Sequence, residues 1–366
     1  MLKLSIRQSV RELLQAISWA GLVVSLLTLI VLTPHLVEEG GGAGVVLGNL
    51  ARYAWTLALL VLVFARTRTI GARALIGAAL AGFFGVASLA VLIGKPLVEH
   101  LGNRSPFVML VFAPISEELL KLLPVALFLL LSARNKRWRP SVGDAVLFGV
   151  TVASGFAVYE NILYARDTGG GWFTTLPFSA LLPFITSQGP MLVGTHVVYT
   201  GLASLGLGVA IIYRRRFRFA WLALPIALAV ILIEHASVNR LALVGLFEGP
   251  PLWVRLALII TLHGYLSTLL FLAGIAIVAI YETKAIKRGG VGLPAALGLH
   301  DILASLRASP RLASLAQLLR RLRYESMRRS AILAAEQTRG AAPDADAVAA
   351  VKWFHDKTGL LIGAPA

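Results

Sequence analysis

Eight apolar runs follow one another along most of the chain, roughly 13–33, 47–65, 74–94, 107–132, 142–165, 190–212, 219–239 and 255–281. Each is long enough for a helix to cross a hydrocarbon core about 30 Å thick. Inside lipid a backbone must satisfy its hydrogen bonds within its own segment, which leaves the helix as the way to fold such runs. Composition agrees: 57% of the residues are hydrophobic and 14% charged, against about 25% charged in soluble domains. The expected fold is all-α, a polytopic membrane bundle of about eight transmembrane helices.

The charges set its orientation. The formal net charge of +16 is held in short clusters beside alternate runs: Lys3/Arg7/Arg11, Arg66/Arg68/Arg73, Arg134/Lys136/Arg137/Arg139, Arg214/Arg215/Arg216/Arg218 and Lys284/Lys287/Arg288. The intervening connections are poorer in Lys and Arg. This is the positive-inside pattern of a multi-pass protein, with both termini in the cytoplasm, and it makes nucleic acid an unneeded partner. There is no cysteine, which excludes disulfides and thiolate metal sites. The first run is too long for a signal-peptide core and reads as a retained span. Residues 1–282 form the bundle, with its informative motifs in 105–240. Residues 283–366 form a small, basic, helical cytoplasmic tail. Its amphipathic stretch Arg311–Arg339 suits either an anionic membrane surface or a helix packing within a small cytoplasmic appendage.

Ionisable groups inside the spans are few. Span four carries Glu117, Glu118 and Lys121 within "PISEELLKLLP", where each charge opposes insertion by about 2.5–3.5 kcal/mol. Span five has Phe156, Glu160 and Asn161 in "GFAVYEN", span six has His196, and span seven has His235 and Asn239. Span six is taken to start at Pro190, because proline suits a first helical turn, with 176–187 as an interfacial or re-entrant piece. At 1.5 Å per residue, Glu160 lies about 8 Å below its span's outer end, His235 about 6 Å, His196 about 9 Å and Glu118 about 15–17 Å. Acids, imidazoles and amides from four spans thus reach the outer half of the membrane or its middle, and a shared polar cavity explains the agreement. Glu117 and Lys121 stand i,i+4 in the favourable orientation for a pair, which leaves Glu118 without a local cation.

These motifs together (EExxK, FxxxEN, a lone His, and HxxxN, each on its own span) resemble those of the PrsW family of intramembrane proteases, distantly related to the CAAX-protease and bacteriocin-immunity superfamily. The resemblance covers residues 105–240 and loosely the whole bundle. It implies a bacterial cytoplasmic (inner) membrane protein that clips membrane-anchored proteins near the extracytoplasmic face. Glu117 and Glu118 match the paired acids, Glu160 the acid of the next span, and His196 and His235 the two histidines. Asn239 stands where related sequences can carry Asp. An amide is no base, so its expected work is orienting a ligand, substrate or oxyanion.

Peptide hydrolysis needs an activated water, an oxyanion stabiliser and an acid for the leaving amine. The reading gives Glu118 the role of base, with Glu117 held by Lys121, and makes Asn161 and Asn239 oxyanion donors. Glu160, His196 and His235 have the ligand types of a catalytic zinc with one open position; without metal, the same groups can run glutamate–histidine water activation. Two other classes remain open: a proton-coupled transporter with a Glu/His relay, and a non-catalytic membrane scaffold. Substrate identity and oligomeric state have no sequence signature.

Overall fold

The computed structural model describes residues 43–102, 105–133, 139–168, 184–186, 189–193, 195–244, 252–262, 265–288, 312–337, 348–349 and 351–354. The first expected span, 13–33, lies outside them. The described helices are α1 (Ala43–Val63), α2 (Ala72–Leu101, with a π-helical stretch Ala81–Val86), α3 (Ala113–Ala133, entered through a π-helical turn Val108–Phe112) and α4 (Val142–Thr168). They continue with α5 (His196–Ile212), α6 (Ala223–Val244), α7 (Leu252–Ile260), α8 (Tyr265–Arg288) and α9 (Leu312–Gln337). Among the described residues, four stretches are long and apolar enough to cross a membrane: Ala72–Leu101, Val142–Ile162, Ala220–Asn239 and Leu252–Arg288. Leu47–Val63 and His196–Ile212 are shorter apolar helices.

α4 and α5 form the centre. Apolar and small residues surround α4 on every side, and 89% of its spanning window is buried; a helix without a polar face belongs inside. α5 is likewise buried continuously from Val197 to Gly208. Glycine lets the central backbones come close. A Cβ on Gly82 of α2 would stand 1.9 Å from the Val152 carbonyl oxygen of α4, and one on Gly155 of α4 would stand 2.1 Å from that of Ala79. Small residues at such crossings let van der Waals contact hold helices together where no hydrophobic effect operates between them. The outer helices turn large apolar side chains such as Leu92, Leu127 and Ile277 outward, as a lipid solvent permits.

Polar side chains fix the start of α4. Ser141 and Asp144 form a capping box: the Ser141 N–H donates to Asp144 Oδ2 at 2.9 Å and the Asp144 N–H to Ser141 Oγ at 2.9 Å. Asp144 also accepts from the Thr69 and Ile70 N–H groups at 2.8 and 2.9 Å. Glu282 of α8 accepts from the Val142 N–H at 2.8 Å. α9 closes over the same region. Ser326 donates to the Thr69 carbonyl at 2.6 Å, Ser330 to that of Arg139 at 2.9 Å, and Arg329 to that of Ala65 at 2.6 Å. Tyr324–Gln337 thus packs against the bundle, a partner that neither reading of the basic stretch names.

Three expectations change. Pro190 does not begin a helix: Gly189–Val193 is a strand, paired antiparallel with Phe184–Thr186, so a short hairpin interrupts the all-α plan. The helix starts instead at His196, where the Thr195 side chain caps it by accepting from the Val198 N–H. His196 therefore stands in the first turn of its helix rather than about 9 Å along it. Span eight is two helices, α7 and α8, joined through Leu262 at φ 52°, a left-handed conformation costing about 1–2 kcal/mol for an L side chain. The break is stabilised from outside: the Thr261 carbonyl accepts from the Leu266 N–H at 3.0 Å and Glu234 of α6 from the Ser267 N–H at 2.9 Å.

Candidate active site

Glu117, Glu118 and Lys121 follow a deliberate irregularity. In the π-helical turn the Ala113 N–H reaches back to the Val108 carbonyl, and in that register the Met109 carbonyl would look to residue 114. Residue 114 is proline and has no N–H to give. Asn239 of α6 supplies the missing donor, its Nδ2 standing 2.8 Å from the Met109 oxygen. The amide at position 239 thus ties α6 to the acid-bearing helix. Asn161 is engaged elsewhere too: its Nδ2 donates to Asn49 Oδ1 at 2.8 Å and to the Tyr53 hydroxyl at 3.0 Å, both on α1. Both amide nitrogens expected to serve an oxyanion have protein acceptors.

The remaining groups do converge. Lys121 Nζ stands 2.9 Å from Glu118 Oε1, 3.4 Å from Glu117 Oε2 and 2.7 Å from His196 Nδ1, with the Phe156 ring centroid 4.1 Å away. Since the ammonium donates, His196 Nδ1 accepts, and this assigns the ring proton to Nε2, which contacts Glu160 Oε2. Thr200 donates to Glu118 Oε2 at 3.2 Å. His235 places Nδ1 3.5 Å from Glu118 and Nε2 3.9 Å from Glu117. Its ring stacks on Tyr199 at 5.6 Å and meets that of His196 at 5.6 Å. Thr200 was open to sequence reasoning, since it stands i,i+4 from His196 and so shares its face.

The expected pairing within α3 is reversed. Lys121 is closer to Glu118 than to Glu117, and the side chains of Lys121 and Glu118 are both fully buried, whereas Glu117, His196 and Glu160 keep 18%, 18% and 20% exposure. Opposite charges attract more strongly where water is excluded, so the ammonium follows the inner acid. Glu118 is the saturated carboxylate of the cluster; Glu117 and Glu160 face its open side.

One grouping of donor atoms in the cluster would suit an ion. Among the described residues, the imidazole and carboxylate groups whose donor atoms all lie within 4.8 Å of one another are those of Glu117, His196 and His235. Glu160, expected in that set, touches His196 from the other ring nitrogen. The three fit a metal on two counts. His235 Nδ1 is buried without a hydrogen-bond partner. In addition, three carboxylates against one ammonium leave the cluster two negative charges in excess while the imidazoles are neutral, and membrane depth tolerates such an excess poorly.

The comparisons with known proteins come to one match. The profile of a family described as PrsW family intramembrane metalloprotease covers residues 71–266, more than half of the chain, and takes in every helix that contributes to the cluster. No curated protein and no solved structure matches. This is an integral membrane protein whose family points to a peptidase acting on a protein substrate, and the chain belongs to the PrsW family of intramembrane metalloproteases.

Proposed function

We propose that the protein is a multi-pass zinc peptidase of the cytoplasmic membrane that cuts membrane-anchored proteins toward the outer side of the bilayer. Eight crossings, both termini inside, and the tail from residue 283 as a cytoplasmic extension complete the reading. The observation that carries it is the meeting of Glu117, His196 and His235, from three separate helices, within 4.8 Å. These three would hold the ion, which when bound acidifies water and polarises a carbonyl. Ligation through His196 Nδ1 would keep the Glu160 contact on Nε2, the usual way a carboxylate orients a metal-binding imidazole.

The chain's own groups have separable tasks. Glu160 fixes the tautomer of His196 and, as the open carboxylate beside it, is placed to accept and return a proton. Glu118 holds Lys121 and accepts from Thr200, tying α3 to α5. Its burial and its two donors move the base role away from it, where the sequence put it. Phe156 covers the ammonium, and apolar surroundings keep bulk water off the inner half of the cluster.

The test uses Glu117→Gln, an isosteric change at a partly exposed position. Purified wild-type protein should carry about one zinc per chain by elemental analysis, and the variant should have lost it. Membrane proteomes of cells making each form should differ by at least one membrane protein that only wild type sheds. Identical metal content with identical proteomes would refute the proposal.

A further inference from the structure

A groove of about 530 Å³ runs between the outer turn of α3, the middle of α6 and the short helix α7. Pro114 and Ile115 form one side of it, Leu232 and Ala236 a second, and Trp253 and Ile260 a third. Ser237 supplies the one hydroxyl in its lining and is already committed to its own helix, donating to the Ile233 carbonyl at 2.7 Å. The groove opens to the lipid side: Ile115 is 41% exposed and Ile260 64%.

Resting on the protease reading, we infer that this groove seats one face of the membrane-spanning helix of the protein to be cut. Continuity with the cluster argues for that occupant. Pro114 and Ile115 stand within about one turn of Glu117 and Glu118, and Ala236 follows His235, so a helix lying here passes beside the open acids. The volume is that of a binding pocket and is too small for a whole helix; it takes the side chains along one face, the helix-in-groove mode of recognition. Ala236 and Ala257 keep two of the walls low, which lets a second backbone come near. The third wall is α7, which joins α8 through the left-handed Leu262.

The chain's lack of cysteine allows a direct test. Ile115→Cys, Ile260→Cys and, as control, Leu92→Cys are made singly in the Glu117→Gln background. Leu92 is 69% exposed on α2. Counted from Pro106, where the helical stretch leading through the π-helical turn into α3 begins, Ile115 lies about 14 Å along, and Leu92 lies about 14 Å from the Leu101 end of α2, at 1.5 Å per residue. Each variant, monodisperse by size exclusion, is placed in phosphatidylcholine vesicles. The probe is a synthetic leucine–alanine helix of about 20 residues, long enough to span, with one cysteine at matched depth. Mild oxidation should trap the peptide at positions 115 and 260 at least about fivefold more than at 92. Trapping no higher at the groove than at Leu92 overturns the inference. So does preferential disulfide formation between two copies of the protein, which would assign the groove to self-association. Trapping requires no hydrolysis, so a negative proteome comparison leaves this result standing, and uniform trapping leaves the protease reading untouched.

Discussion

At the scale of single residues, Lys121 is the most informative. Its ammonium stands among Glu117, Glu118 and His196, where an external cation would also be attracted. On the metallopeptidase reading, lysine and metal would therefore compete for the same acceptors. Lys121→Met should lower the stability of metal-free protein by about 3–5 kcal/mol, the penalty for leaving a buried charge unpaired. It should also raise zinc affinity at least about tenfold. Titration of metal-stripped protein with zinc, followed by calorimetry and thermal denaturation, reads both effects. Unchanged zinc affinity would exclude the competition. The convergence of these side chains was legible in the sequence, because charges at membrane depth need one another. Which acid takes the lysine was not: i,i+3 and i,i+4 partners are equally local, and the choice is made by burial against α5.

Among the elements, the entrance to α3 shows how irregular backbone is satisfied in a dry environment. Pro114 withholds a donor and Asn239 returns one to Met109. Asn239→Leu should therefore cost about 1–3 kcal/mol by leaving that carbonyl unpaired. In detergent this appears as a lowered melting temperature with zinc content unchanged. Loss of zinc without loss of stability would put Asn239 in the site instead. Helix positions were readable from apolar run length; α1 to α4 and α6 fall close to where those runs put them. The beginning of α5 and the gap before α8 were not readable. One depends on a strand pairing and a Thr195 cap, the other on Glu234 reaching across to another helix. Tertiary partners decide both places, and hydropathy carries no information about them.

For the whole molecule, the bundle and its tail are a single construction. Thr69, Arg139 and Ala65 receive α9 beside the capping box that starts α4. Deleting residues 289–366 should expose the 64–70 and 139–141 connections. Limited proteolysis should then cleave there at least about tenfold faster, and thermal denaturation should shift down. Unaltered cleavage would mean that α9 is dispensable to the bundle. The tail's basic, amphipathic composition was visible in the sequence, but its partner was not, since lipid headgroups and the inner ends of helices ask for similar surfaces.

The anchoring of α4 has a consequence at the opposite end of the protein. From Asp144 to Glu160 the helix contains no proline and no break, a stiff rod about 24 Å long. Its foot is gripped by Ser141, Thr69 and Glu282, and its head carries the carboxylate that steadies His196. Whatever loosens that footing turns or lifts the head with it. Alignment of the His196 imidazole thereby depends on contacts made about 24 Å away.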